Sequence, residues 1–280
     1  MKEHILIRTE AELNRYLQNI VSTKPIVLDT ESVSLDYESP LLGVSMYQPE
    51  SNQPPCFIQT YNASLEGSCV DEDLVVNKLP ILTDVGYIFH NAKHDKAVFM
   101  KRHSLYLPLH FDTLIAIHQY NPSILKKLET RVKEDLGYQK KTLEDLIGKK
   151  WGKIDWSDNA NMLILAKYSC EDVYYTYALY ELYKSRLEKM GDKVCKVLYE
   201  LEQPLVDILV DMKLRGVKID LNRLKELENK ILPRIATIEA EIYEEAGVVF
   251  NINSNKQLAE VLYDQMKLPV LRQTKAGGRS

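Results

Sequence analysis

Compact apolar runs fill the first part of the chain, and helical periodicity dominates the rest. Residues 5–7, 26–29, 41–47, 56–60 and 86–90 are short apolar stretches bounded by polar, glycine or proline residues, which predicts buried β-strands. Thr9 followed by Glu12 forms a capping box and predicts a helix start. Three prolines between residues 48 and 55 mark a turn. Helices are predicted over residues 71–82, 92–102, 112–120, 124–136, 142–147 and 159–187. Strands gathered ahead of helices predict an α/β fold, a mixed central sheet covered by helices.

A second change of pattern comes after Cys195. Residues 198–214 continue as helix, broken by Pro204, and residues 216–220 read as a turn into a short strand. Leu224, Leu227, Ile231, Ile235, Ile238 and Ile242 recur at three- and four-residue spacing, the stripe of a long amphipathic helix. Pro233 should kink it or sit on its solvent side, and Gly247 should end it. Ser254 and Gln257 suggest another capping box before a helix over residues 258–266. These last elements are too few to close a core of their own size.

Composition adds boundaries. Hydrophobic residues are 45% and charged residues 27% of the 280, an ordinary balance for a globular protein. No run approaches the ~20 apolar residues of a membrane span, and the first residues lack a signal-peptide pattern. Cys56, Cys69, Cys170 and Cys195 show no zinc-ligand spacing and read as free thiols. The expectation is a cytoplasmic protein with no membrane partner. A net charge of −4 argues against coating nucleic acid through bulk positive charge. Its distribution is uneven: residues 29–125 hold 12 acidic and five basic residues, whereas residues 126–153 hold nine basic and five acidic. Lys140, Lys141, Lys149, Lys150 and Lys153, with Trp151 and Trp156 among them, form either a solvated surface or a track for a single strand of nucleic acid.

The chemistry-bearing residues are acidic. Asp29 and Glu31, two apart at the end of an apolar strand, share one face and repel each other unless a cation lies between them. Asn91 closes the next strand and can cap the following helix, with Asp95 one turn into it. Tyr168 and Asp172 stand four apart on one helix face. Each of these alone has an ordinary structural explanation, as a solvated strand end, a first-turn aspartate or a surface Tyr–Asp pair.

In order, a strand D-x-E, a helical N-x-x-x-D and a late helical Y-x-x-x-D resemble the three motifs of the 3′–5′ exonucleases that use four acidic residues and a tyrosine, a ribonuclease-H-like (DnaQ-like) fold. The surroundings Val27-Leu28-Asp29-Thr30-Glu31-Ser32, Phe111-Asp112-Thr113-Leu114 and Thr142-Leu143-Glu144-Asp145-Leu146 resemble the exonuclease domain of family A DNA polymerases, the DNA polymerase I family. Leu201-Glu202-Gln203-Pro204-Leu205, Arg215-Gly216-Val217-Lys218-Ile219-Asp220 and Phe250-Asn251-Ile252-Asn253-Ser254 resemble the opening of that family's polymerase domain and its thumb base, and Gln273-Thr274-Lys275 the approach to the thumb tip. Palm and fingers have no counterpart.

The resemblance implies an exonuclease domain over residues 1–192 and an incomplete helical thumb subdomain over 193–280. It implies a metal-dependent 3′–5′ DNA exonuclease with two divalent ions, Mg²⁺ or Mn²⁺. Asp29, Glu31 and Asp172 would hold one ion, Asp29 would bridge to a second, and Asp95 would hold that one partly through water. Tyr168 would orient the attacking water. Leu35 and Leu143 either wedge the terminal bases of a single-stranded or frayed 3′ end or pack in the core. Asn91 would orient the site, with Thr30 and Asp112 behind it. Two other readings stay open: an exoribonuclease of the RNase D type, and a non-catalytic subunit completing a split polymerase with a separate palm-and-fingers chain.

Overall fold

A computed structural model of the chain describes residues 3–61 and 69–271. The expected resemblance at residues 273–275 lies outside these. Two compact units divide at Gly216, covering residues 1–216 and 217–280.

The first unit is built on six strands: β1 (Ile5–Ile7), β2 (Ile26–Ser32), β3 (Leu41–Tyr47), β4 (Cys56–Gln59), β5 (Tyr87–Phe89) and β6 (Leu109–Asp112). They lie in the order β1-β4-β3-β2-β5-β6. β2 is central, antiparallel to β3 and parallel to β5, while β5–β6 and β1–β4 are parallel and β3–β4 antiparallel, so the sheet is mixed. β6 is a strand where the sequence pattern suggests helix from residue 112. Its Asp112 is both the last strand residue and the helix cap, which hides a four-residue strand in the helical signal.

Helices cover both faces. They are α1 (Glu10–Leu17), α2 (Glu72–Lys78), α3 (Ala92–His103), α4 (Thr113–Tyr120), α5 (Leu128–Leu136), α6 (Leu143–Ile147), α7 (Asn159–Met190), α8 (Asp192–Val197) and α9 (Gln203–Arg215). The capping box at Thr9 and Glu12 is formed. Strand alternation decides which layer each β2 residue meets. Ile26 and Leu28 face one core with Phe89, Val98 and Phe99, and Val27 faces the other with Phe111, Val132 and Val173. A third cluster around Phe57, Trp156, Met162 and Leu165 extends the second layer.

α9 departs from the sequence pattern. Pro204 does not break it but stands in its first turn, where proline lacks only an N–H that the helix would leave unused. A π-helical turn, Leu198–Glu202, leads into it. Val206 and Val210 join the core beside α3, so this helix belongs to the first compact unit although the sequence resemblance groups it with the second part.

The second unit holds α10 (Leu221–Ala246) and α11 (Asn255–Ala259), the latter continued by a π-helical turn, Glu260–Gln265. Gly247 ends α10 in the left-handed region, as its position suggests, and Pro233 lies inside the helix. Residues 216–220 form no strand. Asp220 instead caps α10 through its side chain. Ser254 caps α11 by accepting from Gln257 N, but the Gln257 side chain turns to Asn251 N at 2.7 Å, so the box is only half closed. No helix among the described residues is long and apolar enough to cross a membrane.

Candidate metal centre

β2 carries the first two carboxylates. Asp29 and Glu31 follow Val27 on the face that α7 crosses, and their pairing partners on β3 are Ser45 and Gly43. A Cβ on Gly43 would stand 2.3 Å from Phe57 Cζ and 2.6 Å from Ile58 O, so only glycine lets β3 and β4 close beneath the site. α7 then brings Ser169 and Asp172 onto this face. Ser169 Oγ meets Ser45 Oγ at 2.9 Å and Asp29 Oδ2 at 3.5 Å. The small residues Ser45 and Ser169 stand where α7 meets β3.

The outcome is a carboxylate triad. Oxygens of Asp29, Glu31 and Asp172 all lie within 4.8 Å of one another. Glu31 and Asp172 are nearly buried, at 9% and 8% exposure. Burial, then the neighbouring carboxylates, pushes Asp29 well up, and burial with repulsion from Asp172 pushes Glu31 up to about 8. Asp172 rises to about 6 through burial, opposed by the ammonium of Lys140. Hard oxygens converging at this spacing suit a hard divalent cation.

Asp95 arrives from the opposite layer. It sits one turn into α3, buried, and stands outside the triad. Its Oδ1 accepts from Thr30 N at 2.9 Å and Thr30 Oγ1 at 2.8 Å. β5 pairs with β2 only at Ile26 and Val27, so the Asp95 carboxylate satisfies a β2 amide beyond the end of that ladder. Thr30 faces Asp95 because it alternates with Asp29 and Glu31.

Tyr168 lies one turn before Asp172. Its hydroxyl donates to Glu129 Oε1 at 3.2 Å, and burial pushes its pKa far up. Asn91 gives no side-chain cap, contrary to expectation. It adopts φ 76°, which turns the chain out of β5, and Asp112 caps α3 in its place. Leu35 is 85% exposed, whereas Leu143 is 4% exposed and packs in the third core cluster. Trp156 is also buried there, whereas the half-buried Trp151 donates to Val33 O at 3.1 Å.

Sequence reasoning missed Ser45, Ser169 and Glu129, and counted Lys140 only as part of a basic stretch. Lys140 is buried with its Nζ 2.9 Å from Asp172 Oδ1. A cleft of about 430 Å³ opens beside Tyr168, lined by Tyr138, Gln139, Lys141, Leu146, Ile164, Lys167 and Glu171.

Residues 4–188 match the family described as 3′-5′ exonuclease. The chain belongs to that family. Behind the exonuclease domain, residues 221–280 match DNA polymerase family A, so only a fragment of a polymerase domain is present. DNA polymerase I of Borreliella burgdorferi is 26% identical over 94% of the chain and 28% of its own length. DNA polymerase I of Chloroflexus aurantiacus is 29% identical over 98% of the chain and 29% of its own length. That of Geobacillus stearothermophilus reaches 49% identity over 82 residues, 29% of the chain and 9% of that protein. The chain thus spans less than a third of the relatives that match it throughout. Among solved structures, the POL domain of Pol1 from M. smegmatis, in complex with DNA primer-template and dNTP, gives a TM-score of 0.63 at 17% identity, over 99% of this chain and 43% of that one. An apo form of a nuclease gives 0.52 at 19% identity, over 78% and 95%. These likenesses show the fold: the ribonuclease-H-like α/β sheet of a 3′–5′ exonuclease domain, followed by a helical region.

Proposed function

We propose that the chain hydrolyses DNA phosphodiester bonds from a 3′ end, as the proofreading module of a family A polymerase. The observation that carries this reading is the carboxylate triad, Asp29, Glu31 and Asp172, within 4.8 Å in a chain of the 3′–5′ exonuclease family. By function we assign residues 1–192 to the exonuclease and 193–280 to the opening of the polymerase domain.

Asp29, Glu31 and Asp172 would hold one Mg²⁺ or Mn²⁺. Asp95, together with Asp29, would help hold a second. When bound, the ions acidify a water and relieve charge at the phosphoryl and departing 3′ oxygens. The chain's own residues orient the rest. Thr30 fixes the Asp95 carboxylate from two sides. Ser169, braced by Ser45, holds the Asp29 carboxylate toward α7. Tyr168 stays protonated, and its O–H is engaged by Glu129, so its oxygen is left to accept from the attacking water rather than to act as a base.

A single strand or frayed end would run along the cleft beside Tyr168. Lys141 and Lys167 supply charge for its phosphates, and the half-exposed Tyr138, stacked on Tyr175 at 4.9 Å, supplies a face for a base. Leu35, exposed at the mouth of β2, is the wedge. Leu143 backs the start of α6 from the core rather than touching bases.

The test is one preparation with Mg²⁺ or Mn²⁺ and a 5′-labelled oligonucleotide. A ladder shortening from the 3′ end is expected, faster on DNA than on RNA. Asp29→Ala or Asp172→Ala should cut the rate by more than about 100-fold, because losing even an outer partner of a metal ligand costs about 10–100-fold. Circular dichroism checks that the variants stay folded. Wild-type rates in either variant would sink the site assignment.

A further inference from the structure

Lys140 differs from every other lysine of the basic stretch around it. Lys141, Lys149, Lys150 and Lys153 are exposed, whereas the Lys140 side chain is fully buried. Its delivery is built into the fold. The link between α5 and α6 is tied back by Tyr138 N to Val132 O at 3.3 Å and by Lys140 N to Tyr138 O at 3.2 Å, and the Tyr138 ring stacks on Tyr175 of α7.

The ammonium ends at the carboxylates. Nζ stands 2.9 Å from Asp172 Oδ1 and 3.2 Å from the centre of the Tyr168 ring. Apart from this ion pair, neither Nζ nor Asp172 Oδ1 has a hydrogen-bond partner. The contact is a single ion pair between one ammonium and one carboxylate oxygen, and such a contact can be exchanged for a better-placed cation. Lysine suits that use, since its ammonium is a compact point charge on a flexible stem. Burial of a lysine is tolerated only against compensation, and the cluster of Asp29, Glu31 and Asp172 is that compensation.

We infer that Lys140 is a tethered counter-ion of the carboxylate triad, which competes with the divalent ion for Asp172 and so sets the ion concentration at which the site loads. The inference rests on the reading of Asp29, Glu31 and Asp172 as metal ligands. A Mg²⁺ bound at about 2.1 Å from a carboxylate oxygen cannot share that oxygen with an ammonium without strong like-charge repulsion. Loading the site requires Nζ to withdraw, and the tether limits how far it goes. Before loading, the same charge keeps mutually repelling carboxylates in place.

Mn²⁺ titrated calorimetrically into the full chain tests this. Lys140→Met and Lys140→Gln should bind Mn²⁺ about tenfold tighter or more, from the Coulomb cost removed. Lys140→Arg, which keeps the charge, should stay close to wild type. Without metal the neutral variants should melt at lower temperature, and saturating Mn²⁺ should restore the wild-type value. A lysine that served packing alone would leave all three variants equally weakened for the ion. Neutral variants that bind no tighter than wild type, or that stay unfolded with Mn²⁺ present, overturn the inference. Asp172→Asn separates the two readings. If it binds Mn²⁺ like wild type, the ligand assignment fails. If it loses the ion while Lys140→Met binds unchanged, only the role of Lys140 fails.

Discussion

Asp112 joins two helices with one carboxylate. Its Oδ1 accepts from Asn91 N, Leu114 N and Ile115 N, and its Oδ2 accepts from Ala92 N at 2.8 Å. The starts of α3 and α4, one carrying Asp95 and the other leaving the sheet edge, thus share a cap. Removing a single cap costs about 0.5–2 kcal/mol, so Asp112→Ala should cost about 1–4 kcal/mol in a denaturant titration. Burial raises the Asp112 pKa to about 6, against the hydrogen bonds that lower it. A carboxyl raised by folding binds more protons folded than unfolded between its two values, so its contribution falls as pH rises through that window. The stability advantage of wild type over Asp112→Asn should therefore shrink from pH 4 to pH 6. An advantage that grew over that range would contradict this. Residues of this kind mark what the sequence makes legible. Asp29 with Glu31, and Tyr168 with Asp172, are readable because period two and i, i+4 are local geometry. Ser169 on Asp29, Lys140 on Asp172 and Asp112 on the α3 amides are contacts between distant segments, which no local period encodes.

Elements were legible where their pattern was long or clean. β3 and the start of α7 fall where apolar alternation and periodicity predict them. β6 was hidden because four residues ending in a helix cap carry too little strand signal, and parallel pairing to β5 supplies what the sequence lacks. Pro204 misled because proline breaks a helix interior but suits a first turn, and only the fold says which applies. Gly43 was legible as a residue but not as a requirement. With buried Phe57 and a backbone carbonyl in the way of any Cβ, Gly43→Ala should cost at least about 1–3 kcal/mol, as overpacking does. Thermal melting in the presence and absence of Mn²⁺ would measure it. A neutral result would mean that β3 and β4 can part without disturbing Glu31. α3 and α9 are joined in another way. Lys96, buried at 1% exposure, pairs with Asp207, which also accepts from the Tyr106 hydroxyl.

At the scale of the molecule, the charge of −4 averages an acidic site and a basic stretch. Only one lysine of that stretch is buried against the acids, while Lys141 reaches the cleft. The compact first unit runs to Gly216, beyond the part that matches the exonuclease family. A chain ending at Gly216 should keep metal-dependent nuclease activity and a cooperative melt. One ending at residue 192 loses Val206, Val210 and the Lys96–Asp207 pair, exposes apolar core, and should melt well below it. Equal melting of the two would show that α9 adds nothing to the first unit. The helix α7 has a consequence in time. Ser169 lies 140 residues after the Asp29 it contacts, and Asp172 follows still later. During synthesis, β2 can emerge and pair long before the chain holds a complete ligand set. With the ligand set proposed above, the site stays incomplete until α7 has left the exit tunnel, well after the six strands that position Asp29 and Glu31 have been made.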